Sequence, residues 1–136
     1  MSGMKARAKT IGLWALTLLL VLMFFMVGLD KFTSHGWIER FANWGYPDNF
    51  LYVIGMLEML GAVGLLIPRL AGYAAGGLIV IMIGATITHL VHGEFPGSVI
   101  HLVLLSMVLY ARRPAFLRKQ APQPDAAPDA APDPSL

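Results

Sequence analysis

"IGLWALTLLLVLMFFMVGLDKF", residues 11–32, is the stretch that decides the fold of this chain. Its first nineteen residues carry no charge. A hydrocarbon core about 30 Å thick needs roughly 20 apolar residues in an α-helix. The stretch therefore predicts a membrane span over 11–29. Asp30 and Lys31 follow it directly, and we predict them first of all as boundary residues; the alternative is that Lys31 turns inward.

Three further apolar segments follow, at 50–67, 70–90 and 97–111, the last of them short. The chain has 136 residues, which suits one domain, and 57% of them are hydrophobic but only 13% charged. Soluble domains carry about 25% charged residues. The predicted fold class is an all-α integral membrane protein, with a four-helix transmembrane bundle over 11–111.

Basic residues predict the orientation, because Lys and Arg are enriched in cytoplasmic loops. Residues 1–10 form a basic N-terminus, and we interpret 11–29 as a retained anchor, since it exceeds a signal peptide's apolar run and lacks an A-x-A cleavage site. With that N-terminus in the cytoplasm, only Lys31 and Arg40 lie outside. The other eight basic residues lie inside: Lys5, Arg7, Lys9, Arg69, Arg112, Arg113, Arg118 and Lys119. Both termini are predicted to be cytoplasmic.

Two segments flank the bundle. In the first outer loop, aromatic residues recur at near-helical spacing between Trp37 and Trp44. This pattern indicates a short interfacial helix that seats its aromatic side at headgroup level. Residues 112–136 are basic and then rich in Pro, Ala and Asp, which predicts a disordered cytoplasmic tail.

Composition excludes several classes of site. The chain has no cysteine, so disulfides, thiolate metal sites and cysteine nucleophiles are excluded. The basic residues flank apolar segments, which argues against nucleic-acid binding. Helix association in lipid depends on small residues, and the second and third spans carry Gly55, Gly61, Gly72 and Gly76. We predict these two helices as the most closely packed pair.

Glu58 lies within the second span, where an ionisable side chain costs on the order of 3 kcal/mol. Gly55 and Gly61 share its helix face, so Glu58 is expected to point into the bundle. Lys31 or a histidine is the candidate cation for it. Two roles stay open for Glu58: contact with a ligand, or a structural hydrogen bond between helices.

His89 and His101 lie at the ends of the third and fourth spans, at the same outer end as Asp30 and Lys31. With Glu58, they form a set of polar candidates that a water or ligand would have to bridge. A metal site is not favoured, because the usual ligand spacings are missing. The set fits a pocket in which histidine or carboxylate hydrogen-bonds a quinone. Interfacial anchoring, with Glu58 alone buried, and a transport path are the alternatives.

The order of several short motifs resembles the DoxX and DoxX-like membrane proteins. These are "GLDKF" at 28–32, "GYPDNFLYVIGMLEMLGAVGLLIPRLAGYAAGGL" at 45–78 and "MIGATITHLVHGEFPG" at 82–97. The resemblance implies a four-helix inner-membrane protein of bacterial type. It also implies a link to quinone-dependent redox work, since founding relatives are subunits of a thiosulfate:quinone oxidoreductase. Lys31, Glu58 and His89 match the family's recurrent polar positions.

We therefore expect an accessory or quinone-contacting subunit of a membrane redox assembly, without stand-alone catalysis. In this hypothesis Glu58 and His89 are proton partners of the quinone, and Lys31 favours the charged form of Glu58. Its surroundings would be the lipid bilayer and either a redox partner subunit or further copies of the chain. A small-molecule permease and a purely structural membrane subunit are the alternatives.

Overall fold

A computed structural model describes residues 2–113, and within this range the chain forms five α-helices. Their bounds are α1 Ser2–Thr33, α2 His35–Asn43, α3 Asp48–Leu66, α4 Ala71–Val91 and α5 Ser98–Ala111. The predicted Pro-rich tail lies almost entirely outside the described residues, as do Arg118 and Lys119.

Three of the helices, α1, α3 and α4, are long and apolar enough to cross a membrane by length and composition, and α5 is a shorter apolar helix. Each predicted span falls on one of these four helices. α1 begins at Ser2, well before the predicted start at 11. Ala, Lys and Arg are strong helix formers, and nothing among the first ten residues stops the helix. With 32 residues, α1 is about 48 Å long and exceeds the hydrocarbon core.

The four apolar helices form a closed bundle in which α1 packs on α3 and α5, and α4 packs on α3 and α5. α2 packs on α1 and α3 at one end of the bundle. We call this the α2 end; it holds the C-termini of α1 and α4 and the N-termini of α3 and α5. The buried core fills the middle and the other end: Leu20, Phe24, Ala62, Leu65, Ala75, Leu78, Met82, Leu105 and Val108.

The backbones of α1 and α3 approach each other closely at Gly28 and Gly55. A Cβ added at Gly28 would lie 2.8 Å from the carbonyl oxygen of Gly55, a distance that real Cβ atoms do not show. Gly55 was predicted to pack on the third span; it packs on the first instead. The absence of a side chain at both positions therefore lets Lys31, one turn beyond Gly28, lie against α3.

The predicted packing of α3 on α4 is partly wrong. Gly61 does meet α4, because a Cβ there would lie 2.6 Å from Leu78 Cδ2. Gly72 is buried. Gly76, however, has no neighbour within 4 Å of a Cβ, so the G-x-x-x-G step formed by Gly72 and Gly76 does not lie at this helix contact. A glycine spacing alone does not tell which face of a helix meets its neighbour.

Candidate functional site

Lys31 and Glu58 form a buried ion pair between α1 and α3. Lys31 Nζ donates to Glu58 Oε2 at 2.7 Å, and the two side chains are only 5% and 2% exposed. The expectation that Lys31 serves first as a boundary residue is therefore wrong, and the inward-turned alternative holds. Gly28 and Gly55 explain it, because their close approach leaves no room for lipid or water between the two helices at this level.

Asp30 has a different place from Lys31. Its carboxylate is exposed and accepts a hydrogen bond from Trp37 Nε1 at 2.7 Å. The Trp37 ring in turn lies over the ammonium group of Lys31, with 4.6 Å between Nζ and the ring centroid. Asp30 thus contacts the ion pair only through Trp37, which covers Lys31 from the side of α2.

A cavity of about 420 Å³ lies at the α2 end and reaches down to Lys31 and Glu58. Aromatic side chains from α2, from the turn that follows it and from the start of α3 form much of its wall, among them Trp37, Phe41, Trp44, Tyr46 and Phe50. The aromatic side of α2 therefore faces the bundle, since Phe41 is only 7% exposed and packs against the neighbouring rings. The place of α2 at headgroup level stays a prediction. An amphipathic pattern does not distinguish a helix that covers protein from one that lies on lipid.

His89 and His101 line the same cavity as Lys31 and Glu58. His89 Nδ1 lies 3.1 Å from Glu94 Oε2, while His101 Nδ1 lies 3.4 Å from the carbonyl oxygen of Gly97. The rings of His101 and Phe24 pack in a T-shaped arrangement, with 5.3 Å between centroids. Four of the five predicted candidates therefore line one cavity, and the exception is Asp30.

Several residues of the site escaped the sequence reasoning. Tyr46 and Thr88 share a hydrogen bond of 2.8 Å between their hydroxyl groups, which joins the turn between α2 and α3 to α4. Arg40 lies over the rings of Trp37 and Trp44, at 5.3 and 5.9 Å from their centroids. Trp37, Arg40 and Trp44 are spaced about one helical turn apart, on α2 and at its C-terminal cap, and this spacing was a signal that they share a face.

The charges at the cavity are few and mostly paired. Arg40 Nε lies 3.9 Å from Glu94 Oε2, the oxygen that also contacts His89. Within residues 2–113 there is no group of three or more His, Asp or Glu side chains placed to hold a metal ion. Chemically, the site offers an aromatic enclosure, an ammonium–carboxylate pair at its floor, and an imidazole backed by a carboxylate near its rim.

Comparison with known families decides the classification. The model of the DoxX-like family matches residues 15–111, which include most of α1, the whole of α3, α4 and α5, and every residue that lines the cavity. The chain belongs to the DoxX-like family. Searches of curated proteins and of solved structures found no match.

Membership in the DoxX-like family confirms the resemblance that the motifs indicated. Together with the apolar helices, it makes the chain a multi-pass membrane protein. Exposed apolar side chains, such as Val80 and Leu60, cover the outside of the bundle, as expected of helices that face lipid.

Proposed function

We propose that this DoxX-like protein binds a small lipophilic ring compound of the quinone type in the cavity at the α2 end. In this proposal it crosses a bacterial inner membrane four times with both termini in the cytoplasm, and it acts as an accessory subunit of a redox assembly. The observation that carries the proposal is the buried Lys31–Glu58 pair at the floor of an aromatic cavity.

The energetics of buried ion pairs support a role in binding. Removing two charges from water costs several kcal/mol per ion, and well-packed apolar residues often replace such a pair without loss of stability. Ionisable side chains inside a membrane are for that reason usually functional. The Lys31–Glu58 pair also borders a cavity instead of being enclosed by packed side chains, so a ligand can reach it.

The cavity fits a quinone headgroup in size and chemistry. Ligand sites are commonly about 300–1,000 Å³, apolar, and equipped with a few polar groups; this one has about 420 Å³. A bound quinone would supply a redox-active ring and two oxygen atoms. Lys31 would donate a hydrogen bond to one oxygen, and His89 would hydrogen-bond the other. Trp37 and Phe41 would pack against the ring.

The permease alternative is less well supported. A carrier needs a polar path through the whole bundle, but beyond the cavity the described residues pack into a core of Leu20, Leu65, Leu78 and Leu105, each at most 1% exposed. The Lys31–Glu58 pair also joins α1 to α3. A purely structural role of this pair is therefore one outcome of the binding experiment.

The experiment measures binding of a decyl-substituted quinone and its hydroquinone to the purified full chain in lipid nanodiscs. We expect the wild type to bind and Glu58→Gln to weaken binding about tenfold. Without the Glu58 carboxylate, the Lys31 ammonium group is no longer held in place to donate to the ligand, and a hydrogen bond to a charged group is worth about 1.5–3 kcal/mol. Glu39→Gln is the matched control, because Glu39 is exposed on α2 and does not line the cavity.

Two results would remove the proposal: no binding by the wild type, or equal binding by the wild type and Glu58→Gln. If Glu58→Gln lowers thermal stability and leaves ligand affinity unchanged, the pair has the structural role instead.

A further inference from the structure

The C-terminus of α4 has a backbone geometry that fixes the position of Glu94. The N–H of Glu94 donates to the carbonyl oxygen of His89 at 2.8 Å, and the N–H of Gly93 donates to that of Leu90 at 3.2 Å. Gly93 has φ +70°, the left-handed conformation that glycine adopts without strain. Together these features form a Schellman motif, which folds the chain back over the last turn of the helix.

This turn brings the Glu94 carboxylate against the ring of His89. Glu94 Oε2 lies 3.1 Å from His89 Nδ1. From the other side, Arg40 Nε on α2 lies 3.9 Å from the same oxygen. Glu94 itself does not line the cavity, whereas His89 does. The contact therefore acts on the cavity through the imidazole.

The contact also selects one form of that imidazole. A carboxylate only accepts hydrogen bonds, so the proton of neutral His89 belongs on Nδ1. Nε2 then keeps its lone pair and is a hydrogen-bond acceptor, as in other histidines backed by a carboxylate. The edge-to-face contact with Trp44, at 5.2 Å and 82°, further restricts the plane of the ring.

We propose that Glu94 is a positioning residue that makes His89 Nε2 the hydrogen-bond acceptor of the cavity, so that the site prefers a ring bearing a hydroxyl group. This inference rests on the proposed function and names the ligand form: a hydroquinone over the corresponding dimethyl ether or quinone. A ring hydroxyl donates to Nε2 of His89, and a second ring oxygen accepts from Lys31.

The test combines a spectroscopic and a binding measurement on the full chain in nanodiscs. In ¹⁵N spectra of histidine-labelled protein, the signal of His89 is assigned by its loss in His89→Gln. We expect the form protonated at Nδ1 in the wild type and a shift toward the other form in Glu94→Ala. The ligands are a decyl-substituted hydroquinone, its dimethyl ether and the matching quinone.

We expect the wild type to bind the hydroquinone about tenfold more tightly than the dimethyl ether. The ether has no hydroxyl group to donate to His89 Nε2, and a buried acceptor left without a donor is costly. Glu94→Ala should reduce this preference to about twofold or less, and Glu39→Gln should retain it. Glu94→Asp, whose shorter side chain keeps the carboxylate, should restore part of the preference if Glu94→Ala folds poorly.

Three results would overturn the inference. One is a wild-type His89 protonated at Nε2, and another is a preference for the hydroquinone that Glu94→Ala leaves unchanged. The third is equal affinity for hydroquinone, ether and quinone, which leaves the proposed quinone-type ligand standing. Absence of binding by all three ligands removes the proposed function and the inference with it.

Discussion

Lys31 and Glu58 each depend on the other, because a single charge at this depth would have no compensation. Lys31 Nζ and Glu58 Oε2 are 2.7 Å apart, and both side chains are almost fully buried. Breaking a buried pair by removing one partner typically costs about 3–5 kcal/mol, while replacing both partners by apolar residues is often neutral. We therefore expect single substitutions of Lys31 or Glu58 to lower the free energy of unfolding strongly, and the double substitution to lower it little.

We expect Glu58→Leu and Lys31→Met each to lower the free energy of unfolding by about 3 kcal/mol, because each leaves one charge buried and unpaired. The double variant should recover most of that loss. Unfolding by SDS in mixed micelles measures all three, with Glu39→Gln as the control on an exposed carboxylate. Additive losses in the double variant would contradict the ion pair.

The Lys31–Glu58 pair shows which properties of single residues the sequence predicts and which it does not. The cost of an acid in an apolar span singles out Glu58, and Lys31 or a histidine was its candidate cation. The sequence did not predict that Lys31 is the cation that pairs with Glu58, because this pairing depends on how closely α1 approaches α3. Glu94 was missed, although the sequence "HGE" after an apolar helix carries the glycine signal of a helix end.

Helix contacts set these residue positions, and two glycines dominate the contact of α1 with α3. A Cβ at Gly28 would lie 2.8 Å from the backbone oxygen of Gly55, and backbone atoms cannot move aside cheaply. Small residues in several helices were visible in the sequence, but Gly28 was interpreted only as part of a motif. Which small residues face each other depends on helix rotation, and hydropathy does not fix that rotation.

Gly28→Ala should therefore lower the free energy of unfolding by about 1–3 kcal/mol, the usual cost of overpacking. Gly76→Ala is the matched control, because no atom lies within 4 Å of a Cβ at that position. Its expected change is within about 1 kcal/mol, and of stabilising sign, since alanine favours a helix. Equal losses in both variants would show that α1 and α3 do not meet at Gly28.

The end of α4 allows a second test at this scale. Gly93→Ala should cost about 1–2 kcal/mol, because a side chain disfavours the left-handed conformation at φ +70°. Gly97→Ala should cost little, because Gly97 has φ −57° and open space around it. Thermal unfolding in nanodiscs compares the two. An unchanged melting temperature in Gly93→Ala would contradict the turn that positions Glu94.

At the scale of the whole molecule, the two ends of the bundle differ. The end opposite α2 is filled by apolar side chains, whereas the α2 end holds a cavity with Lys31, Glu58 and His89 in its lining. The apolar segments predicted the helices and their order, because hydropathy reports burial in lipid directly. The cavity itself depends on α2 folding back over the bundle, and no local pattern encodes that.

Lysines and arginines are also distributed unequally between the two ends of the bundle, and this predicts how the bundle is oriented in the membrane. Of the lysines and arginines in the described part of the chain, only Lys31 and Arg40 lie at the α2 end. The opposite end holds Lys5, Arg7, Lys9, Arg69, Arg112 and Arg113. Because cytoplasmic segments are enriched in Lys and Arg, we expect the α2 end and its cavity to face away from the cytoplasm.

Single cysteines test this orientation without background, since the chain has none. His35→Cys lies at the exposed start of α2 and Ser2→Cys at the exposed start of α1. In intact bacterial cells, a membrane-impermeant maleimide should label His35→Cys, whereas Ser2→Cys should react only after the inner membrane is opened. Labelling of Ser2→Cys alone would invert the topology and place the cavity on the cytoplasmic side. Labelling of both before opening would mean that α1 does not span the membrane, which the uncharged stretch at 11–29 argues against.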